Sequence, residues 1–200
     1  MWIALLFPFT ASAQSSFESI TRAVKAGDYQ NIHSILIQKQ GKNVYERYFN
    51  GYTRDSLHDT RSAFKSVTSL LVGIAVDKGL ISNIDQPVYQ FFPENKAFAA
   101  DPLKRQIRIK DLLEMRAGFD CEEWNDGKDC ESEMEQQRDW VKFSLSLPMK
   151  HKPGTVWAYT SCDPMILSGV IEKASGMSVM DFAGKYLFTP PGDGAIPLDN

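Results

Sequence analysis

Residues 62–79 read Ser62-Ala63-Phe64-Lys65-Ser66-Val67-Thr68-Ser69-Leu70-Leu71-Val72-Gly73-Ile74-Ala75-Val76-Asp77-Lys78-Gly79. Phe64, Val67, Leu70, Leu71, Ile74, Ala75 and Val76 recur at helical spacing over a wide apolar face. The pattern predicts a central buried helix from Ser62 to Lys78, with Gly79 as its C-cap. Ser62 and Lys65 are three positions apart, so a helix puts hydroxyl and ammonium on one face. A serine hydroxyl is a weak nucleophile until a neighbouring base takes its proton. A lysine can be that base where burial and positive dipoles lower its pKa. Free N–H groups at a helix start also favour an oxyanion. Alone, Ser-x-x-Lys arises by chance in many chains, and an N-cap serine beside an exposed lysine explains it more simply.

A second motif, Tyr159-Thr160-Ser161, follows the turn Lys152-Pro153-Gly154-Thr155. A tyrosine hydroxyl near a lysine can shuttle a proton between nucleophile and leaving group. Taken alone, Tyr159 reads more simply as a core tyrosine with a satisfied hydroxyl. Around the motifs, residues 17–27 predict a short amphipathic helix with Phe17, Ile20 and Val24 on one face. Ile32, Ile35 and Ile37, then Gly41-Lys42-Asn43, then Val44, Tyr48 and Phe49 predict a β-hairpin. Helices are expected over 108–116, ended by Gly118, over 132–147 with Trp140, Phe143 and Leu147 on one side, over 164–175 capped by Gly176, and over 178–188. Residues 81–94 read as a loop punctuated by Pro87 and Pro93.

This order of hairpin, Ser-x-x-Lys helix, helical middle, Pro-Gly-Thr and Tyr-x-Ser resembles the serine β-lactamase and penicillin-binding-protein superfamily. The class C, esterase and 6-aminohexanoate-oligomer hydrolase branches are the most similar. Lys65–Ala75 followed by Asp77-Lys78-Gly79, and Ile109-Lys110-Asp111-Leu112-Leu113-Glu114-Met115, look like that family's phrases, and the likeness runs over roughly residues 30–190. It implies an α+β fold, a helical region plus an antiparallel sheet. It also implies an acyl-enzyme mechanism on an amide, ester or lactam: Ser62 attacks, Lys65 accepts its proton and Tyr159 relays a proton to the leaving group. Ser161 would bind substrate. It stands where many members carry asparagine, which tilts the reading toward the esterase and amide-hydrolase branches. Trp157 and Cys162 are near enough to line a pocket, although Trp157 reads more simply as core.

The family's third box, Lys-Thr-Gly or His-x-Gly on a C-terminal strand, does not follow Tyr159. After Phe188-Thr189-Pro190 the chain continues Pro191-Gly192-Asp193, where the family tends to read Leu-Gly, so a frame shift or gene break near Pro190 is expected. Without the C-terminal sheet strands the hairpin would be marginal and its edges open. Losing one oxyanion donor alone costs on the order of 10²–10³ in rate. The isolated chain is therefore expected to be weakly active or inactive.

The remaining composition is that of an ordinary globular chain: 200 residues, 43% hydrophobic, 24% charged, net charge −3. No basic stripe supports nucleic-acid binding. Residues 1–13 read as a signal peptide, apolar from Trp2 to Phe9 and ending Ala11-Ser12-Ala13, although no Lys or Arg precedes the apolar run. A buried N-terminal strand or helix is the alternative. The domain then spans 14–200, exported to the periplasm or secreted. Nothing else is apolar for long enough to span a membrane. In an exported protein Cys121 and Cys130 can form a small-loop disulfide around Asn125-Asp126-Gly127, leaving Cys162 over. No zinc spacing is present among His33, His58, His151 and the cysteines, and no metal or organic cofactor is implied. Composition and spacing are silent on oligomeric state.

Two other classes compete with the hydrolase. One is a non-catalytic relic or binding module that senses β-lactam or peptidoglycan fragments. The other is a structural exported protein with coincidental motifs. An α/β-hydrolase is disfavoured because no Gly-x-Ser-x-Gly elbow occurs.

Overall fold

The structure, a computed structural model, describes residues 11–124, 127 and 129–189. The expected apolar run Trp2–Phe9, the loop residues Asn125 and Asp126, and the tail from Pro190 lie outside them. The chain divides into two compact units, residues 1–59 and 60–200.

The first unit joins helix α1 (Ala11–Ala26) to an antiparallel hairpin, β1 (Ser34–Lys39) and β2 (Lys42–Tyr48). The expected helical face of Phe17, Ile20 and Val24 is the one that packs. The Phe17 ring stacks on Tyr45 at 5.2 Å between centroids, Thr21 Oγ1 is 2.6 Å from Tyr45 Oη, and Val24 is buried. The turn is Gln40-Gly41, one residue earlier than the sequence suggests, with φ of 51° and 73°. Positive φ at both turn residues matches the twist that a two-residue hairpin needs. An irregularity after Ile37 leaves Val44 without a register partner and sets Tyr45 opposite Ile37. Leu36 and Val44 are exposed. Among the described residues this sheet has two strands.

The second unit is helical and is built around α7 (Cys162–Ser175), whose Ile166, Leu167, Val170 and Ile171 are buried. Helix α2 (Phe64–Asp77) packs on it with Leu71, Val72 and Ala75. Of the expected apolar face, Leu71 and Ala75 are buried and Val67, Ile74 and Val76 pack partly buried against the core, while Phe64 and Leu70 are 41% and 56% exposed. Short helices α3 (Lys96–Ala100) and α4 (Ile109–Leu113) supply Phe98, Ile109 and Leu112 to the same core. Pro87–Phe92, read from the sequence as loop, contains a 3-10 turn over Val88–Phe91.

Helix α4 is shorter than expected. Asp111 accepts from Arg108 N–H at 2.9 Å and from the guanidinium at 3.0 and 3.1 Å, which defines the start. Met115 then adopts φ 56° and ends the helical path. The single helix expected over 132–147 is two, α5 (Cys130–Glu135) and α6 (Trp140–Ser146). Each has its own aspartate cap: Asp129 accepts from Ser132 N–H at 3.0 Å, and Asp139 from Lys142 N–H at 2.8 Å. A side-chain cap satisfies a donor that a continuous helix would bond to a carbonyl, so the second aspartate restarts the chain. A Cβ on Gly169 would lie 2.7 Å from Val141 Cγ1, so that glycine permits the close approach of α6 and α7. Residues 178–188 also split, into α8 (Val179–Ala183) and a wider turn over Gly184–Phe188.

Candidate active site

Ser62 does not sit inside a helix. It occupies a 3-10 turn, Arg61–Ala63, directly before α2. Arg61 holds φ 45°, a sparsely populated conformation for a residue with a Cβ. The Ala63 N–H bonds Thr60 O at 3.1 Å and the Phe64 N–H is used inside the turn, so these two of the helix-start donors expected to be free are engaged. The turn leaves Ser62 exposed and keeps the spacing to Lys65 that the motif requires.

All four residues singled out from the sequence meet. Lys65 Nζ donates to Ser62 Oγ at 3.1 Å and to Ser161 Oγ at 3.3 Å. Tyr159 Oη donates to Ser62 Oγ at 2.8 Å. The Lys65 ammonium also lies 5.0 Å from the centre of the Tyr159 ring. Tyr159 is held from behind: Ala158 N–H donates to Met115 O at 2.9 Å and Glu123 N–H to Tyr159 O at 3.0 Å. Trp124 and Trp157 tilt against its ring at 5.3 and 6.4 Å. Trp157 is 54% exposed, which corrects the reading of it as core.

Two carboxylates complete the network. Ser161 Oγ is 3.1 Å from both Glu123 Oε2 and Glu131 Oε1. Glu123 Oε1 accepts from Ser161 N–H at 2.7 Å and from Thr160 Oγ1 at 3.2 Å. A disulfide joins Cys121 to Cys130, so both glutamates lie beside the ends of one closed loop. Neither glutamate was singled out from the sequence. The available signal was their adjacency to the two cysteines.

Cys162 and Asp163, in the first turn of α7, are buried. Cys162 is fully buried and does not line the cleft beside Ser62, and burial pushes its thiol up to about 11. Burial also holds the Asp163 carboxyl well above the usual range, against an opposing hydrogen bond from Ala117 N–H. The nearby Glu123 and Asp111 add to the upward shift.

Beside Ser62 opens a cleft of about 500 Å³, with Phe64, Met134, Trp140, Met165 and Met180 among its apolar walls and Glu131 at its polar end. A larger depression of about 690 Å³ between α3, α6 and α7 has charged walls, including Glu94, Lys142 and Lys173, and no serine–lysine pair. A hydroxyl flanked by an amine and a phenol at the mouth of an apolar cleft can attack an electrophilic carbonyl, shedding its proton to the neutral amine while the phenol has a proton to give.

The chain resembles several known proteins. Two curated relatives named "Putative D-alanyl-D-alanine carboxypeptidase", from Salmonella agona (strain SL483) and Salmonella typhimurium, are each 24% identical over 145 residues. Each match covers 70% of this chain and 33% of the relative. Among solved structures, a "Putative 6-aminohexanoate-dimer hydrolase" from Bacillus anthracis aligns with TM-score 0.62 and 16% identity, over 78% of this chain and 43% of that one. A penicillin-binding protein homologue from Pyrococcus abyssi aligns with TM-score 0.63 and 22% identity, over 88% and 42%. The chain thus spans about a third of the curated relatives' length and under half of these structures, and the likeness establishes a partial α+β fold of this type. The Beta-lactamase family profile matches residues 24–194, most of the sequence, so this chain belongs to the Beta-lactamase family, within the serine β-lactamase and penicillin-binding-protein-like superfamily.

Proposed function

We propose that the chain carries the acylating part of a serine hydrolase acting on an amide, ester or lactam. One observation carries the reading: Ser62 Oγ contacts Lys65 Nζ at 3.1 Å and Tyr159 Oη at 2.8 Å at once. Ser62 Oγ attacks the substrate carbonyl and its proton passes to Lys65. The C–N or C–O bond to the leaving group breaks as Tyr159 delivers a proton to that group. An acyl-Ser62 ester remains for water to cleave. Ser161 contacts substrate from the far side of Lys65. The apolar cleft favours an acyl portion with an apolar side chain. The activities in the relatives' names fit amide chemistry. The Cys121–Cys130 disulfide supports an exported location, where such bonds persist.

The test is intact-mass analysis of the purified chain and of Ser62→Ala after treatment with a fluorophosphonate and a fluorescent penicillin. A one-to-one adduct on the wild type alone supports the reading, and the reacting probe narrows the substrate class. Reversible affinity without an adduct would favour the binding-module reading. The exposure of Phe64, in the cleft wall beside Ser62, is the observation on that side, since it leaves part of that apolar surface uncovered.

A further inference from the structure

We propose that Glu123 is a positioning residue for Lys65, acting through Ser161; this rests on the acyl-enzyme reading above. Glu123 grips the Tyr159–Ser161 segment at four points, one of them the Thr160 hydroxyl, which donates to its carboxylate at 3.2 Å. Its N–H donates to Tyr159 O at 3.0 Å, and its carboxylate takes the Ser161 N–H at 2.7 Å and lies 3.1 Å from Ser161 Oγ. A hydroxyl has one proton. With carboxylate oxygens of Glu123 and Glu131 both 3.1 Å from Ser161 Oγ, that proton is drawn toward the acids. The oxygen's lone pairs are then left facing Lys65 Nζ at 3.3 Å. Ser161 is thereby fixed as an acceptor, and the lysine nitrogen is held between Ser161 Oγ and Ser62 Oγ. Charge-assisted bonds of this kind are stronger and more directional than neutral ones. The disulfide limits how far Glu123 can swing from Glu131.

Substituting Glu123→Gln replaces one acceptor oxygen with an NH₂ donor, which opposes the Ser161 donors. A double-mutant cycle separates orientation from general stability. The rate of Ser62 labelling by a fluorophosphonate is measured for wild type, Glu123→Gln, Ser161→Ala and the double variant, with Ser62→Ala as blank. Each single variant is expected to label about 10- to 100-fold more slowly, and the double variant within about 3-fold of the slower single one. A merely structural glutamate would give effects that multiply. Multiplying effects, or a Glu123→Gln variant that labels at the wild-type rate, overturn the positioning role and leave the acyl-enzyme reading standing. A wild type that fails to label, or Ser62→Ala labelling like wild type, overturns both. If Glu123→Gln loses its cooperative thermal transition, the same cycle is run with Glu123→Asp, which keeps the charge on a shorter arm. There the coupling is expected to persist with a smaller loss, and additivity overturns the proposal equally.

Discussion

Tyr159 Oη and Ser62 Oγ, 97 positions apart in the chain, are in hydrogen-bond contact at 2.8 Å. Lys65 Nζ reaches the same serine oxygen at 3.1 Å. The phenol thus contacts the serine hydroxyl from a distant segment of the chain. Tyr159→Phe removes that hydroxyl and keeps the ring that packs against Trp124 and Lys65. Fluorophosphonate labelling of Ser62 is expected to slow on the order of 10²-fold, as for loss of a general acid–base group. The thermal transition should barely move, because Tyr159 is only half-buried. Labelling at the wild-type rate would remove Tyr159 from the reaction.

Ser62, Lys65, Tyr159 and Ser161 were readable because each pair is local: a three-residue spacing on one side and a two-residue spacing on the other. Their meeting was implied by resemblance to a family, since no periodicity predicts a contact across 97 residues. Glu123 and Glu131 were not readable. They lie in a polar segment without helical or strand period, and their aim depends on a disulfide and on the Asp129 cap. Arg61 and Met115 take positive φ without being glycine or asparagine, so local propensity pointed away from both turns. The division of 132–147 was marked by Asp139, a residue type that favours caps, but the apolar spacing on both sides suggested one helix.

The disulfide is expected to matter more to the site than to the core. Closing a loop of nine-residue separation contributes roughly 3 kcal/mol in the chain-entropy account. A Cys121→Ser/Cys130→Ser double variant should lower the unfolding free energy by about that amount in urea titration. It should also slow Ser62 labelling at temperatures where it remains folded, because Glu123 and Glu131 lose their common tether. Unchanged labelling in a folded double variant would show that the α5 cap alone orients the acids.

Gly118 anchors the segment that backs Tyr159. Its carbonyl accepts from the N–H groups of both Lys150 and His151, at 2.9 and 3.0 Å. Its φ is +90°, and a Cβ there would overlap the backbone carbonyl of His151, whose carbon is 3.1 Å away. Gly118→Ala therefore combines backbone strain with a backbone clash, and a loss of about 2–4 kcal/mol is expected from denaturant unfolding. A loss below about 0.5 kcal/mol would mean that residues 148–151 can shift away at little cost.

Asp163 makes the stability of the second unit depend on pH in an unusual direction. Burial raises its carboxyl well above the ordinary value of 3.8, and the charges of Glu123 and Asp111 push the same way. The folded chain therefore keeps a proton that the unfolded chain releases near pH 4. Linkage then requires this residue's contribution to stability to be complete below that pH and to fall as pH rises toward the folded-state pKa. The limiting slope is about 1.4 kcal/mol per pH unit. Asp163→Asn keeps an acceptor for the Ala117 N–H and cannot ionise. Its stability relative to wild type should be near zero at pH 4 and should grow progressively more favourable toward pH 7. Urea unfolding of both proteins across that range checks it through the difference between the two curves, in which every group common to both cancels. Parallel curves would mean that Asp163 is ionised in the folded state, with its charge balanced by a partner other than the Ala117 N–H.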